Sequence, residues 1–205
     1  MSYQPRPSED QIKRMPRNPL RIMMSKCLVG DACQWDGVAF DMQGFIPELL
    51  ALPNVEHVVY CPEESAFGTP RELSDIEGGD GFDVLKGDAR VITPSGADWT
   101  DSMIGTAERM AAIALSRKVD VAIMLDISAA CGSQVIYMGQ RAKGIYQAGV
   151  GVAAAAMIRA GIPVVSQRDM RTLGRIRAHV DPSFTPDPTW IDHHESVWYQ
   201  KTFGE

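Results

Sequence analysis

The sequence lacks a long hydrophobic run: no apolar stretch among its 205 residues approaches the roughly 18 residues that a membrane-spanning helix needs. It is also short of positive charge, because 20 Lys and Arg face 26 Asp and Glu and the net charge is -6. Proteins that bind a nucleic-acid polymer usually present a basic surface, so this balance disfavours that class. The polar, proline-rich start of the chain lacks the apolar segment of a signal peptide. We therefore expect a cytoplasmic protein with no membrane and no nucleic-acid polymer as partner.

Cysteine is scarce as well, with four residues in the chain. In a reducing cytosol these thiols should stay free, which disfavours a disulfide framework and favours metal binding or catalysis. The remaining composition, 45% hydrophobic and 22% charged, is that of an ordinary globular protein long enough to bury its own core. We expect a monomer or a homodimer.

The middle of the chain alternates between two hydrophobic patterns. Short runs rich in Val and Ile predict buried strands at residues 20–25, 55–60, 119–127 and 163–166. Apolar residues at helical spacing predict helices at residues 45–52, 100–115 and 150–160. This alternation is typical of right-handed crossovers and a parallel sheet. The sequence thus predicts an α/β fold, a three-layer, Rossmann-like parallel sheet with an irregular insertion at 62–99.

The two ends of the chain do not follow this pattern. Residues 1–19 combine proline with mixed charge, so we expect an extended N-terminal arm. Residues 20–167 make up the predicted α/β domain, and residues 168–205 are expected to form a polar C-terminal tail. Within that tail the adjacent His193 and His194 should point in different directions, which favours exposure to solvent over a shared metal ion.

Three of the cysteines occupy equivalent places in this predicted fold. Cys27, Cys61 and Cys131 each lie at or just past the carboxyl end of a predicted strand. In an open parallel sheet these ends lie on one side, next to the crevice where ligands bind. A single cysteine at a strand end is more often a buried small hydrophobe, but three at equivalent ends favour a shared site.

The residues alone leave the ligand of that site open. Three thiolates would suit a zinc ion with an open position or a [4Fe-4S] cluster with one iron that has no protein ligand. Cys33, in the loop after the first strand, could be a fourth ligand or an ordinary loop thiol.

Five segments together resemble one known family. They are SKCLVGDACQWDG (25–37), CPEESAFGTPRE (61–72), GDARVITPSGADWTDSMIGTAE (87–108), SAACG (128–132) and GVAAAAMIRAGIPV (151–164). In this order they are similar to the motifs of the DUF523 family, whose characterised members are thiouracil desulfidases, and the resemblance covers about residues 20–167.

The resemblance implies both a cofactor and a reaction. It implies a [4Fe-4S] cluster held by Cys27, Cys61 and Cys131, and the hydrolytic removal of sulfur from a thiolated pyrimidine without net redox change. It also implies a catalytic carboxylate and a catalytic serine, which by position are Glu63 and Ser128.

This chain departs from the family pattern around the expected pocket. Ala129 and Ala130 stand where the family has Pro and Ser, and Gln34 and Trp35 stand where it has Arg and Tyr. These departures bear on the substrate more than on the cofactor. Two other functions stay open, an iron–sulfur redox or sensor protein and a zinc-binding non-catalytic module.

Overall fold

The computed structural model describes residues 6–39, 44–139 and 141–204. Its strands are β1 (Leu20–Ser25), β2 (Val55–Tyr60), β3 (Asp75–Glu77), β4 (Arg90–Ile92), β5 (Val121–Met124), β6 (Val135–Tyr137), β7 (Tyr146–Ala148) and β8 (Val164–Ser166). Its α-helices are α1 (Glu9–Arg14), α2 (Phe45–Leu50), α3 (Pro62–Phe67), α4 (Gly81–Val84), α5 (Thr100–Ser116), α6 (Val152–Arg159), α7 (Met170–Val180) and α8 (Val197–Phe203).

The central sheet has four strands in the order β2-β1-β5-β8, and all of its neighbours pair in parallel. Val121 of β5 lies opposite Ile22 of β1, and Ile22 lies opposite His57 of β2. The predicted α/β fold with a parallel sheet is therefore confirmed. The carboxyl ends of β1, β2 and β5 lie side by side at one edge of this sheet.

Alternate side chains of the strands enter two separate cores. On β1, Met23 packs into the core beneath α5 and α6, whereas its neighbour Met24 packs into the core beneath α1, α2 and α7. Both methionines are fully buried. Burial of each such side chain stabilises the fold by about 1.5–3 kcal/mol. Successive side chains of a strand point to opposite faces of the sheet, and helices cover both faces here. Both sets of side chains are therefore buried, which explains the continuous apolar runs in the sequence.

Two small hairpins stand at the edge of the sheet that carries the strand ends. The insertion predicted at 62–99 consists of α3, the antiparallel pair β3–β4 with α4 between its strands, and connecting loops. A second antiparallel pair, β6–β7, follows the loop after β5. The hairpins touch where Ile76 forms an isolated bridge with Met138. Together they build a rim around the strand ends.

The N-terminal arm contains a short helix, α1, where the sequence predicted an extended segment. Helix α1 begins after Ser8, whose side chain accepts a hydrogen bond from the backbone N–H of Gln11, and the Gln11 side chain accepts one from the N–H of Ser8. This reciprocal capping supplies partners for the free N–H groups at the start of the helix. Ile12 then anchors the helix in the core beneath it. Residues 1–5 lie outside the described residues.

The C-terminal residues 168–204 also fold onto the domain, where the sequence predicted a polar tail over 168–205. Helix α7 places Leu173, Ile176 and Val180 in the core on one face of the sheet. These residues recur at helical spacing, so α7 is amphipathic and covers the strands. None of the helices in the described ranges is long and apolar enough to cross a membrane.

Candidate active site

A cavity of about 310 Å³ opens where the carboxyl ends of β1, β2 and β5 meet the rim. Its walls come from the loops that follow these strands and β8, from the segment between α3 and β3, and from the β6–β7 hairpin. Parallel sheets place their ligand sites at this edge because the strand ends and the loops after them converge there. All four cysteines line this cavity, together with Glu63 and Ser128.

The three cysteines predicted as ligands reach the cavity from three different segments. Cys27 lies in the 3₁₀ turn Lys26–Val29 directly after β1. Cys61 follows β2 and caps α3, where its Sγ accepts a hydrogen bond from the N–H of Glu64 at 3.4 Å. Cys131 comes from the loop after β5 and is 5% exposed. The structure thus brings these three thiols to one cavity.

Cys33 joins them, although the sequence left its place open. Its side chain is 1% exposed and lines the same cavity. Hydrogen bonding to the Cys27 thiol and burial raise the pKa of Cys33 to about 12, and hydrogen bonding to the Cys61 thiol partly offsets this rise. Cys33, whose role the sequence left open, therefore shares the cavity with the predicted ligands.

The surroundings of Cys61 and Cys131 also favour their neutral thiol forms. The hydrogen bond with Cys33 raises the pKa of Cys61, and burial adds to this effect. Burial is the main cause that raises the pKa of Cys131. Thiols that share one buried cavity resist separate ionisation, and a bound cation removes their protons because thiolates are the metal ligands. In the described chain all four cysteines are free of disulfides.

Glu63 stands at the second position of α3, two residues after Cys61, and lines the cavity. Its side chain is 18% exposed by area, but the surrounding walls enclose its carboxyl group. Burial raises the pKa of this carboxyl, while the positive charges of Arg71 and Arg141 partly offset the rise. The Glu63 Oε2 atom lies 3.8 Å from Nη2 of Arg71. Glu63 is therefore a carboxyl that can exchange a proton within the cavity.

Arg71 ties two walls of the cavity together. Its Nη1 donates to the carbonyl oxygens of Cys33 and Gly68, both at 3.0 Å, and to Oγ1 of Thr69 at 3.1 Å. Its backbone N–H donates to the carbonyl of Trp35 at 2.8 Å. The Nε atom is buried and has no hydrogen-bond partner among the described residues. Arg71 thus holds the loop after β1 that contains Cys33, and its Nε–H remains available as a donor among the described residues.

Ser128 is buried and organises the turn that carries Cys131. Its Oγ accepts hydrogen bonds from the backbone N–H groups of Ala130, at 3.2 Å, and Cys131, at 3.1 Å. The hydroxyl hydrogen remains available as a donor. The turn also needs Gly132, because a Cβ atom there would lie 2.6 Å from the carbonyl oxygens of Ser128 and Val135.

Asp126 lines the cavity and is a residue that sequence reasoning missed. Burial works to raise its pKa, but hydrogen bonds from His193 and from backbone N–H groups hold the pKa below the usual range. The local signal was present, since an acidic residue two positions after a buried parallel strand lies at the ligand-binding edge. The expectation of exposure was wrong for His193, which is 4% exposed because its ring pairs with Asp126.

Fold and site together define a class: an α/β protein with a parallel sheet whose strand ends present four thiols, a carboxyl group and a serine to one cavity. Residues 22–169 match the 2-thiouracil desulfurase family, and the chain belongs to that family. The resemblance drawn from the motifs is thereby confirmed.

Two individual proteins are similar to this chain. It is 34% identical over 156 residues to an uncharacterized protein, YbbK, of Bacillus subtilis (strain 168), an alignment that covers 74% of this chain and 99% of YbbK. The solved structure of the [4Fe-4S]-dependent thiouracil desulfidase TudS superposes with a TM-score of 0.62 at 30% identity, covering 75% of this chain and 94% of TudS.

Proposed function

We propose that this protein is a [4Fe-4S]-dependent desulfidase that removes sulfur from a thiolated pyrimidine such as thiouracil, by hydrolysis and without net redox change. The observation that carries the proposal is the meeting of Cys27, Cys61 and Cys131 at one cavity with Glu63 and Ser128. Family membership and the similarity to TudS support the same activity.

The donor set of the cavity fits an iron–sulfur cluster. Thiolates are the soft ligands that such clusters require, and the thiols come from loops of one rigid sheet edge. We assign Cys27, Cys61 and Cys131 as the residues that would hold it. When bound, a cluster with one iron free of protein ligands supplies a Lewis acid for the sulfur of the substrate.

Glu63 is the candidate general acid and base of the hydrolysis. The substrate would react as its thiolate, with one ring nitrogen deprotonated. Water adds its oxygen to the ring carbon that carries sulfur, the carbon–sulfur bond breaks, and the sulfur leaves as hydrosulfide with one of the two water protons. In this scheme the Glu63 carboxylate takes the other proton from the water and returns it to the deprotonated ring nitrogen. Burial raises the pKa of Glu63, which makes its carboxylate a stronger proton acceptor than an exposed one.

Ser128 and Arg71 would orient the substrate. The Ser128 oxygen already accepts two backbone N–H groups, so its hydroxyl is left to act as a donor toward the cavity. The buried Nε of Arg71 has no hydrogen-bond partner among the described residues, and a pyrimidine carbonyl that reached it would satisfy this donor. Trp35 lines the same cavity where the family pattern has Tyr, so this wall bears on which thiolated heterocycle fits.

The decisive experiment is anaerobic purification and reconstitution, followed by iron and sulfide assays, a visible spectrum and a sulfide-release assay with 2-thiouracil. We expect an iron–sulfur spectrum and substrate-dependent release of sulfide. A reconstituted protein with an intact spectrum that releases no sulfide from any thiopyrimidine or thiolated nucleoside would contradict the proposal. A colourless protein with stoichiometric zinc would instead indicate the zinc-binding module.

A further inference from the structure

The loop between β5 and β6 is organised around one buried carboxylate. Oδ1 of Asp126 accepts hydrogen bonds from four backbone N–H groups at 3.0–3.2 Å, those of Ile127, Ser133, Gln134 and Val135. The bonds span both ends of the loop, so the carboxylate closes it into a ring. Ser128 and Cys131 lie inside this ring, and backbone N–H groups of Gly151 and Val152 also bond to carbonyls of its inner turn.

The backbone of this loop is strained where it leaves Asp126. Ile127 has a φ of 57°, a left-handed conformation that β-branched residues rarely adopt. Such strain, of order 1–3 kcal/mol, persists only where the surrounding contacts over-determine the conformation. Here the N–H of Ile127 is held by Oδ1 of Asp126 and by the carbonyl of Val135. The Asp126 carboxylate therefore helps to hold Ile127 in this conformation.

The second oxygen of Asp126 faces the C-terminal segment. Oδ2 accepts a hydrogen bond from Oγ of Ser166 at 3.1 Å and one from Nδ1 of His193 at 2.8 Å. An ionised carboxylate only accepts, so Nδ1 of His193 carries the hydrogen. Within the described ranges, His193 is the one basic side chain within 4 Å of this carboxylate. Both side chains are almost wholly buried, which makes the bond a strong one.

His193 is itself held firmly in place. Its ring stacks on Trp198, with the ring centroids 5.5 Å apart and the planes within 7° of each other. Its backbone N–H donates to Oδ1 of Asp169 at 2.9 Å, and Asp192 beside it receives bonds from the backbone N–H and the hydroxyl of Thr172. The hydrogen bonds of the 3₁₀ turn His193–Glu195 thus fix the position of the His193 imidazole.

His193 lies outside residues 22–169, the part of the chain that matches the family, whereas Asp126 and its loop lie inside it. The C-terminal segment therefore contacts the family domain at Asp126, the residue that holds the loop carrying Cys131.

We propose that His193 is a positioning residue which, through its hydrogen bond to Asp126, fixes the Ile127–Val135 loop and so places Ser128 and Cys131 at the cavity. Without the Nδ1 donor, the Ser166 hydroxyl would be the one donor left to Oδ2 in the described part of the chain, and removing a hydrogen bond from a buried carboxylate is costly. The significance of this placement for catalysis rests on the proposed function, but the placement itself does not.

The test separates the hydrogen bond from the ring stacking. His193→Phe keeps an aromatic ring against Trp198 and removes the donor, whereas His193→Asn puts its amide nitrogen where Nδ1 was. His193→Gln puts its amide nitrogen where Nε2 was, so it should not replace the bond. His194→Phe, in the same turn, is the matched control, because among the described residues the Nε2 of His194 has only one hydrogen-bond partner, Nη2 of Arg6 at 3.4 Å.

Two readouts need neither cofactor nor substrate. They are hydrogen exchange of the peptide 127–135 and the rate at which iodoacetamide alkylates Cys131 in the full-length, metal-free protein, with Cys61 as internal reference. In His193→Phe and His193→Gln we expect both rates to rise about 10- to 100-fold, the range for loss of a hydrogen bond to a charged group. His193→Asn and His194→Phe should stay within a few-fold of the wild type.

Wild-type rates in His193→Phe would overturn the proposal, and so would equal rises in His193→Phe and His193→Asn. Should His193→Phe fail to fold, the comparison of Asn with Gln decides, because identical behaviour of these two would overturn the proposal as well. A wild-type protein that releases no sulfide would defeat the proposed function and leave this test unaffected.

Discussion

Nη1 of Arg71 donates a hydrogen bond to the carbonyl oxygen of Cys33 at 3.0 Å, joining the loop after β1 to the segment after α3. The same nitrogen bonds to Gly68 and Thr69, and the side chain is 4% exposed. One buried guanidinium therefore determines where Cys33 lies relative to Cys61. Its planar fork cannot be reproduced by a single ammonium group.

Arg71→Lys should lower stability by about 1–3 kcal/mol, since buried carbonyls lose bonds to a charged donor. It should also speed the alkylation of Cys33 in the metal-free protein, because the loop is released. Urea unfolding and peptide mass spectrometry measure the two effects. Arg90→Lys is the control, as Arg90 is largely exposed and its ion pair with Asp98 is long at 3.7 Å. Equal effects of the two substitutions would contradict the role given to Arg71.

Glu63→Gln should retain the iron–sulfur spectrum but lower turnover by roughly 10²–10⁴-fold, the usual contribution of general acid–base catalysis. The assay is sulfide release from 2-thiouracil by reconstituted enzyme with matched iron content. Glu64→Gln is the matched control, because Glu64 is the next residue of α3 and pairs with Lys26 at 2.8 Å. Near-normal turnover in Glu63→Gln would remove Glu63 from the mechanism and leave the other assignments standing.

The cysteine variants distinguish three thiol ligands from four. Cys131→Ser should lose bound iron and all activity, because it removes one of the three assigned ligands. Cys33→Ser should keep its iron and its visible spectrum. Iron and sulfide content after anaerobic reconstitution provides the measurement. Loss of iron in Cys33→Ser would indicate four protein ligands, which is the pattern expected of a redox or sensor protein.

Asp169 makes stability depend on pH in a direction opposite to that of most acids. Burial raises its pKa from the usual 3.8 to about 6, although hydrogen bonds from Gln134 and the N–H of His193 favour the charged form. The folded state therefore binds this proton more tightly than the unfolded state does. Its contribution to stability is fully present below pH 4 and is lost as pH rises through about 6.

Asp169→Asn does not titrate, so the free energy of unfolding of the wild type relative to this variant should fall between pH 4 and pH 7. The full change is about 3 kcal/mol, at 1.36 kcal/mol per pKa unit. Urea unfolding of the metal-free proteins at several pH values measures it. Asp187→Asn should show no fall in this window, because Asp187 is exposed and its pKa is lowered by bonds from Thr189. A difference for Asp169→Asn that is independent of pH would contradict the prediction.

The strands of the central sheet can be predicted from local sequence. Its apolar runs predict the strands within a few residues, as with β1, because a strand buried on both faces requires a continuous hydrophobic segment. Chain order then requires parallel strands joined by helices, which brings the segments after β1, β2 and β5 to one edge. The arrival of Cys27, Cys61 and Cys131 at one cavity follows from that topology.

Tertiary structure alone decided the contacts that complete the site. Cys33 lies in a loop without hydrophobic periodicity, so the sequence does not predict the position of its thiol. That position depends on the tertiary hydrogen bond from Arg71 to the carbonyl of Cys33. His193 and Asp126 are hydrogen-bonded although 67 residues separate them in the sequence, and no local sequence pattern predicts this pairing. Hydrophobic periodicity specifies which face of an element is buried, whereas the pairing of buried polar groups depends on how distant segments pack.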